Sequence, residues 1–116
     1  MRRPDRPPDL EVELRLFSTE KSGPNQALPQ GCRLPNDFGV EGEMNDGMYI
    51  FKDAPPGPGE TALAELWLLY PERNAGRLHE GFKFFPWSMG LIGEGTVRTV
   101  VNSELRSETG PVDTGE

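Results

Sequence analysis

The stretch from Gly81 to Val101 constrains the fold of this chain more than any other part of the sequence. It reads GFKFFPWSMGLIGEGTVRTVV and joins a short aromatic strand to a second strand through a turn. The second strand carries glycines at positions 90, 93 and 95, set between apolar residues. Glycine weakens a regular strand and marks a bulge, a sharp bend or a close backbone approach. The pattern therefore predicts a strand bent around a small barrel.

Composition favours a turn-rich β protein of one domain. The 116 residues include 14 glycines and 12 prolines, and only 34% are hydrophobic. The net charge of −7 disfavours nucleic acid as a partner, because an acidic surface repels phosphate. A single cysteine indicates a reducing compartment. The sequence shows neither a signal peptide nor an apolar run long enough to cross a membrane, so we expect a cytoplasmic protein with no membrane partner.

Alternation of apolar and polar residues predicts the first strand, Leu10–Phe17, with one buried face. Residues 32–40 are interrupted by proline and predict a short edge strand. An Asn-Asp-Gly turn before Met48 predicts a strand over Met48–Phe51. The alternation of Phe82, Lys83 and Phe84 predicts the aromatic strand that precedes the glycine-rich one.

Glu60–Tyr70 is compatible with two kinds of structure. Its alanines, leucines and glutamates favour a helix by propensity. As a strand, the segment would place Ala62, Ala64, Leu66, Leu68 and Tyr70 on one face. Pro71 ends the element in either case.

The remaining segments have little apolar content. Residues 1–8 contain three prolines and predict an extended, mobile arm, and residues 102–116 predict a disordered acidic tail. The barrel domain is accordingly expected over residues 9–101. The long loop at residues 18–31 is either a functional loop or a surface excursion that covers one barrel end.

No pattern in the chain is typical of a reaction centre. There is no phosphate-binding glycine loop, no Cys/His cluster with metal-ligand spacing and no nucleophile elbow. His79 stands beside Glu80 in a polar loop, and Cys32 has only Arg33 as a basic neighbour, so neither residue has the partners of a catalytic group. We expect a protein that is not an enzyme and that needs no cofactor or metal.

Several motifs follow one another in an order that is moderately specific. They are the opening strand Leu10–Phe17, the loop Glu20–Gly23, the element Gly31–Pro35, the turn Pro58–Glu60, and the strands Gly81–Phe84 and Ile92–Val97. Across residues 9–101 this order resembles the C-terminal, third-domain β-barrel of bacterial translation elongation factor Tu. The resemblance implies an all-β, six-stranded antiparallel barrel. It also favours a strand over a helix at Glu60–Tyr70, against local propensity.

The sequence departs from that family at the residues that matter for function. The family's GTPase domain and second barrel are absent from the sequence, so the resemblance implies no GTP binding or hydrolysis. The family's barrel also helps to hold the T-stem of aminoacyl-tRNA. Its arginine-rich turn corresponds here to Phe85–Gly90, which has no basic residue, and Pro35 stands where the family has glutamine. Only Arg33 is kept, so RNA binding is disfavoured.

These observations predict a stand-alone, non-enzymatic module that binds a protein partner. We expect the binding surface to comprise Gln26, Gln30, Arg33, Trp87 and Met89. The preceding loop is long, Gln26, Gln30 and Arg33 are residues of the exposed type, and tryptophan is enriched at interface hot spots. Core or rim packing is the simpler interpretation of Trp87 and Met89. The alternative function is a translation accessory that contacts tRNA or another RNA through Arg33.

Overall fold

The computed structural model describes residues 3–18 and 26–108, which form a closed barrel of six antiparallel strands. The strands are β1 (Leu10–Leu16), β2 (Arg33–Asp37), β3 (Asn45–Phe51), β4 (Thr61–Leu68), β5 (Lys83–Pro86) and β6 (Gly93–Val100). Their order around the barrel is β1-β4-β3-β2-β5-β6, and β6 pairs with β1 to close it. Short 3-10 helices occupy Pro71–Asn74 and Ser103–Leu105. The predicted all-β, six-stranded barrel is confirmed.

The interior of the barrel follows from the alternation within its strands. Leu10, Val12, Leu14 and Leu16 of β1 all point inward and are buried. Because successive side chains of a strand point to opposite faces, the intervening Glu11, Glu13 and Arg15 lie on the outside. The prediction for this strand is confirmed.

The segment that could have been a helix is strand β4. It pairs with β1 on one side and β3 on the other, so its backbone groups are satisfied only in extended form. Ala64, Leu66 and Leu68 face the core, as the strand interpretation required. Trp67 lies on the outer face, yet it is only 5% exposed.

Gly93 and Gly95 of β6 allow the neighbouring strands to approach closely, and they do not form a bulge. Neither has a positive φ. Phe84 of β5 is the direct cross-strand partner of Gly95, and a Cβ atom at Gly95 would overlap its ring. At Gly93 a Cβ atom would come within 2.5 Å of the Arg15 carbonyl oxygen. The bulge in this strand lies further on, where the pairing with β1 shifts register between Glu11 and Val12.

Strand β2 is not an edge strand, so that prediction is wrong. It pairs with β3 across four residue pairs and with β5 across two. Pro35 is tolerated because its missing N–H would point towards β5, where the pairing is sparse. Its carbonyl oxygen points the same way and accepts the Trp87 N–H at 2.9 Å. Two neighbouring strands, rather than its own sequence, therefore hold β2 in place.

The Asn-Asp-Gly sequence at residues 45–47 forms the start of β3 instead of a turn. The buried Asn45 side chain accepts the Tyr70 N–H at 3.1 Å and donates to the Tyr70 carbonyl at 2.8 Å, which fixes the strand at its beginning. Gly47 faces the interior, where a Cβ atom would meet the Leu66 side chain at 2.5 Å. The residues that favour a turn are used here for hydrogen bonding and for space.

A polar pair lies inside the barrel between β2 and β3. Asn36 and Tyr49 are both completely buried, and the Tyr49 hydroxyl donates to Asn36 Oδ1 at 2.5 Å. The Asn36 amide nitrogen donates to the carbonyls of Leu34 and Asn45 at 2.9 and 3.0 Å. Each buried polar atom of the Asn36 side chain therefore has a partner.

The two predicted tails are ordered where the structure describes them. After β6, Leu105 is completely buried and its carbonyl oxygen accepts the Leu78 N–H at 2.8 Å. The prediction of disorder from residue 102 is thus wrong for residues 102–108. Before β1, the expected mobile arm is docked on the barrel through residues 3–8. Residues 1–2, 19–25 and 109–116, including half of the predicted 18–31 loop, lie outside the described residues.

Candidate binding surface

The turn that joins β5 to β6 presents two of the predicted site residues. It is closed by the bridge between Trp87 and Leu91 and by a hydrogen bond from the Ser88 N–H to the Gly90 carbonyl at 2.8 Å. Met89 adopts a φ of 57°, which is uncommon for a residue with a side chain. Its side chain is fully exposed, with a relative accessibility of 106%.

Trp87 is half-buried beneath this turn. Its indole Nε1 is shielded from solvent and has no hydrogen-bond partner among the described residues. A buried donor without a partner is unfavourable by about 1–3 kcal/mol.

Arg33 lies next to this turn on the outside of the barrel. The β2–β5 pairing matches Asn36 with Pro86, and the hydrogen bond from Trp87 to Pro35 continues the same register. Arg33 lies two residues before Pro35 on the same outer face of β2, and Met89 lies two residues after Trp87 in the turn. The Arg33 side chain is exposed and makes no hydrogen bond or ion pair with any residue in the described ranges. We refer to Arg33, Pro35, Trp87 and Met89 as the β2–β5 surface.

The two predicted glutamines do not belong to this surface. Gln30 is held by β3: its Oε1 accepts the Phe51 N–H at 2.6 Å and its Nε2 donates to the Phe51 carbonyl at 3.1 Å. It therefore extends the sheet beyond the end of the strand. Gln26 is exposed, and within the described ranges no hydrogen bond or ion pair joins it to the four residues of the β2–β5 surface.

The charge around the β2–β5 surface is mixed. Asp46 is the cross-strand partner of Pro35, and Asp37 follows on the same strand, where it accepts the Gly39 N–H at 2.8 Å. Two carboxylates thus accompany the single guanidinium of Arg33. This arrangement suits a polar protein contact better than a phosphate backbone.

Cys32 and His79 lie apart from each other in the structure. Burial raises the pKa of the Cys32 thiol to about 11, which keeps it protonated at neutral pH. His79 Nδ1 lies 2.9 Å from the Glu80 carbonyl oxygen, and its ring packs edge-on against Phe82. Because Cys32 precedes β2 and His79 precedes the antiparallel β5, the two side chains lie at opposite ends of the barrel.

Residues 3–18 and 26–108 contain no group of three or more histidine, cysteine, aspartate or glutamate side chains arranged to hold a metal ion. Neither of the helical turns in these ranges is long and apolar enough to span a membrane. No protein-family model matches the chain, and no curated protein sequence is significantly similar to it.

Sequence reasoning missed a second group of residues on the outer face of β4. Arg3 and Arg6 of the arm contact this face around Trp67. Asp9, completely buried, accepts hydrogen bonds from Arg6, from the Leu68 N–H and from Asn102. The proline- and arginine-rich arm was the available signal, but its partner on the barrel is more than 50 residues away in the chain.

Proposed function

We propose that this chain is a non-enzymatic, cytoplasmic protein-binding module and that the β2–β5 surface is its contact with a partner. The observation that carries the proposal is the fully exposed Met89 on a left-handed turn, beside a half-buried tryptophan with an unpaired Nε1. Tryptophan and arginine dominate the energetics of protein interfaces, and methionine is enriched in them. Arg33, which pairs with no residue in the described ranges, adds a charge that a partner carboxylate can meet.

We further propose a relationship to the third domain of translation elongation factor Tu. The closed six-stranded antiparallel barrel supports this proposal at the level of the fold. The lack of a basic residue between Phe85 and Gly90 argues for a different binding role on the same architecture.

The test is an affinity capture from the host lysate with matched surface variants. Met89→Ala and Arg33→Ala each remove an exposed side chain, so neither should affect folding. Leu63→Ala is the matched control, because Leu63 is a large hydrophobic residue that is 47% exposed on the outside of β4. We expect one protein to be recovered by the wild type and by Leu63→Ala, and to be lost with Met89→Ala and Arg33→Ala. Equal recovery by all four proteins would refute the assignment of the surface.

The second candidate is a translation accessory that binds RNA, and the unpaired Arg33 is the observation in its favour. Labelled tRNA titrated at low and moderate salt separates the two proposals. Binding through phosphates weakens steeply with salt and is further weakened by Arg33→Ala. Because Arg3 and Arg6 already pair with Glu65 and Asp9, we expect no such binding.

A further inference from the structure

The N-terminal arm is bound to the barrel in the manner of a peptide ligand. The Trp67 Nε1 donates to the main-chain carbonyl of Arg6 at 2.8 Å. Leu66 and Leu68 face the core, so Trp67 between them faces outward. Trp67 is nevertheless almost completely buried, because the arm covers it. An outward tryptophan that donates to the carbonyl of a proline-containing segment is a recurrent chemistry of proline-rich peptide recognition.

Charge complementarity fixes the arm on both sides of this tryptophan. Arg3 pairs with Glu65 of β4, and its guanidinium lies 5.3 Å from the centre of the Trp67 ring. Arg6 donates to both carboxylate oxygens of Asp9 at 3.1 Å and to the Leu68 carbonyl at 2.9 Å. Two arginines, spaced by three residues, thus meet two acidic side chains of the barrel.

The groove is larger than the arm that occupies it. Between the arm and strands β2 to β4 there remains a cleft of about 190 Å³. Its wall includes Pro4, Arg6, Arg33, Asp46, Met48 and Trp67. Across the strands, Arg33 pairs with Met48 and Met48 with Trp67, so the cleft follows one row of side chains on the outer face.

We propose that this groove is a binding site for an arginine- and proline-containing segment of a partner protein, and that residues 3–8 of the chain occupy it in competition with that segment. We name it the Trp67 groove and define it by Glu65, Trp67, Met48 and Asp46. It borders the β2–β5 surface at Arg33 and Asp46, but Met89 does not line it, and the proposal does not depend on the function proposed above. A tethered arm acts at an effective concentration of about millimolar, so a partner segment must bind strongly or locally to displace it.

The experiment follows the two indole N–H signals of the full-length, ¹⁵N-labelled chain by NMR, assigned with Trp87→Phe. The probe is a synthetic peptide of residues 1–8, MRRPDRPP, added to the wild type and to Arg3→Glu. Arg3→Glu weakens the binding of the chain's own arm to the groove, because the new carboxylate is repelled by Glu65. The residues of the groove itself are unchanged. A peptide that carries Arg3→Glu and Arg6→Glu is the matched control ligand.

We expect the Trp67 signal to shift saturably while the Trp87 signal stays in place. Half-saturation should require about threefold less peptide in the Arg3→Glu chain than in the wild type, because the competing arm has lost a cation–π contact and an ion pair. No shift of the Trp67 signal at millimolar peptide in the Arg3→Glu chain overturns the proposal. Equal shifts of both indoles, or equal shifts with the control peptide, overturn it as well, since either result means non-specific binding.

Discussion

Replacing Gly95 by alanine tests why the glycine-rich strand has its sequence. The Cβ atom of the new residue would overlap the ring of Phe84, which is completely buried and stacked on Phe38 at a centroid distance of 4.8 Å. The ring therefore has little room to move away. Overpacking of a core costs about 1–3 kcal/mol, and we expect the upper part of this range. Removing glycine from a strand returns about 0.5–1 kcal/mol, which leaves a net loss of about 2 kcal/mol.

Urea and thermal unfolding measure this loss directly. A change of about 2 kcal/mol corresponds to a fall in melting temperature of about 8 °C for a domain of this size. Gly57→Ala is the matched control, because a Cβ atom at Gly57 would make its nearest contact with Glu60 Oε1 at 3.5 Å, an ordinary van der Waals distance. The control should lie within about 0.5 kcal/mol of the wild type.

A double-mutant cycle with Phe84→Leu identifies the cause. Phe84→Leu is itself destabilising, but it removes the ring that the new methyl group meets. If the close approach of the ring is responsible, Gly95→Ala costs less in the Phe84→Leu background than in the wild type. A neutral Gly95→Ala, or the same cost in both backgrounds, would refute the reasoning.

Three further predictions concern the core and its titrating groups. Leu105→Ala should destabilise the barrel by about 2–5 kcal/mol in urea unfolding, because Leu105 is completely buried; a neutral result would mean that the residues after β6 do not belong to the core. Tyr49→Phe leaves Asn36 Oδ1 without its donor and should cost about 1–3 kcal/mol, and a loss below about 0.5 kcal/mol would contradict a buried hydrogen bond there. Burial raises the pKa of Cys32 from 9.0 to about 11, so the folded state keeps a proton that the unfolded state loses, and stability should fall as the pH rises from about 9 towards 11. Cys32→Ala should flatten this part of the unfolding profile, whereas an unchanged profile would mean that another group is titrating.

The part of the fold that the sequence predicts is the part in which one strand face is buried. Period-two alternation in β1 is a direct result of that burial and is visible in any such strand. The arm and the residues after β6 gave no such signal, because each is held by one or two anchors, Trp67 for the arm and Leu105 for the end of the barrel. A single apolar residue produces no periodic pattern in the sequence. The prediction for these two segments therefore rested on composition, which favoured disorder.

Contacts between residues far apart in the chain also explain why some of the predicted site residues do not lie together. Gln30 was grouped with Arg33 by its position in the same loop, but its amide is used by Phe51, 21 residues away. The start of β2 and the turn after β5 are neighbours only because β2 and β5 pair over two residues, which sets Pro35 against Trp87. No pattern within either segment encodes that pairing.

Arg33 borders both the β2–β5 surface and the Trp67 groove, so its substitution affects both. It lies two residues before Pro35, whose carbonyl oxygen accepts the Trp87 N–H, and it also lines the cleft beside Trp67. Loss of partner binding with Arg33→Ala therefore does not distinguish the β2–β5 surface from the Trp67 groove. Met89→Ala affects only the first surface, and Arg3→Glu affects only the arm that covers the second. A partner of the β2–β5 surface is lost with Met89→Ala and unaffected by Arg3→Glu, whereas a partner of the Trp67 groove is retained with Met89→Ala and binds more tightly to Arg3→Glu.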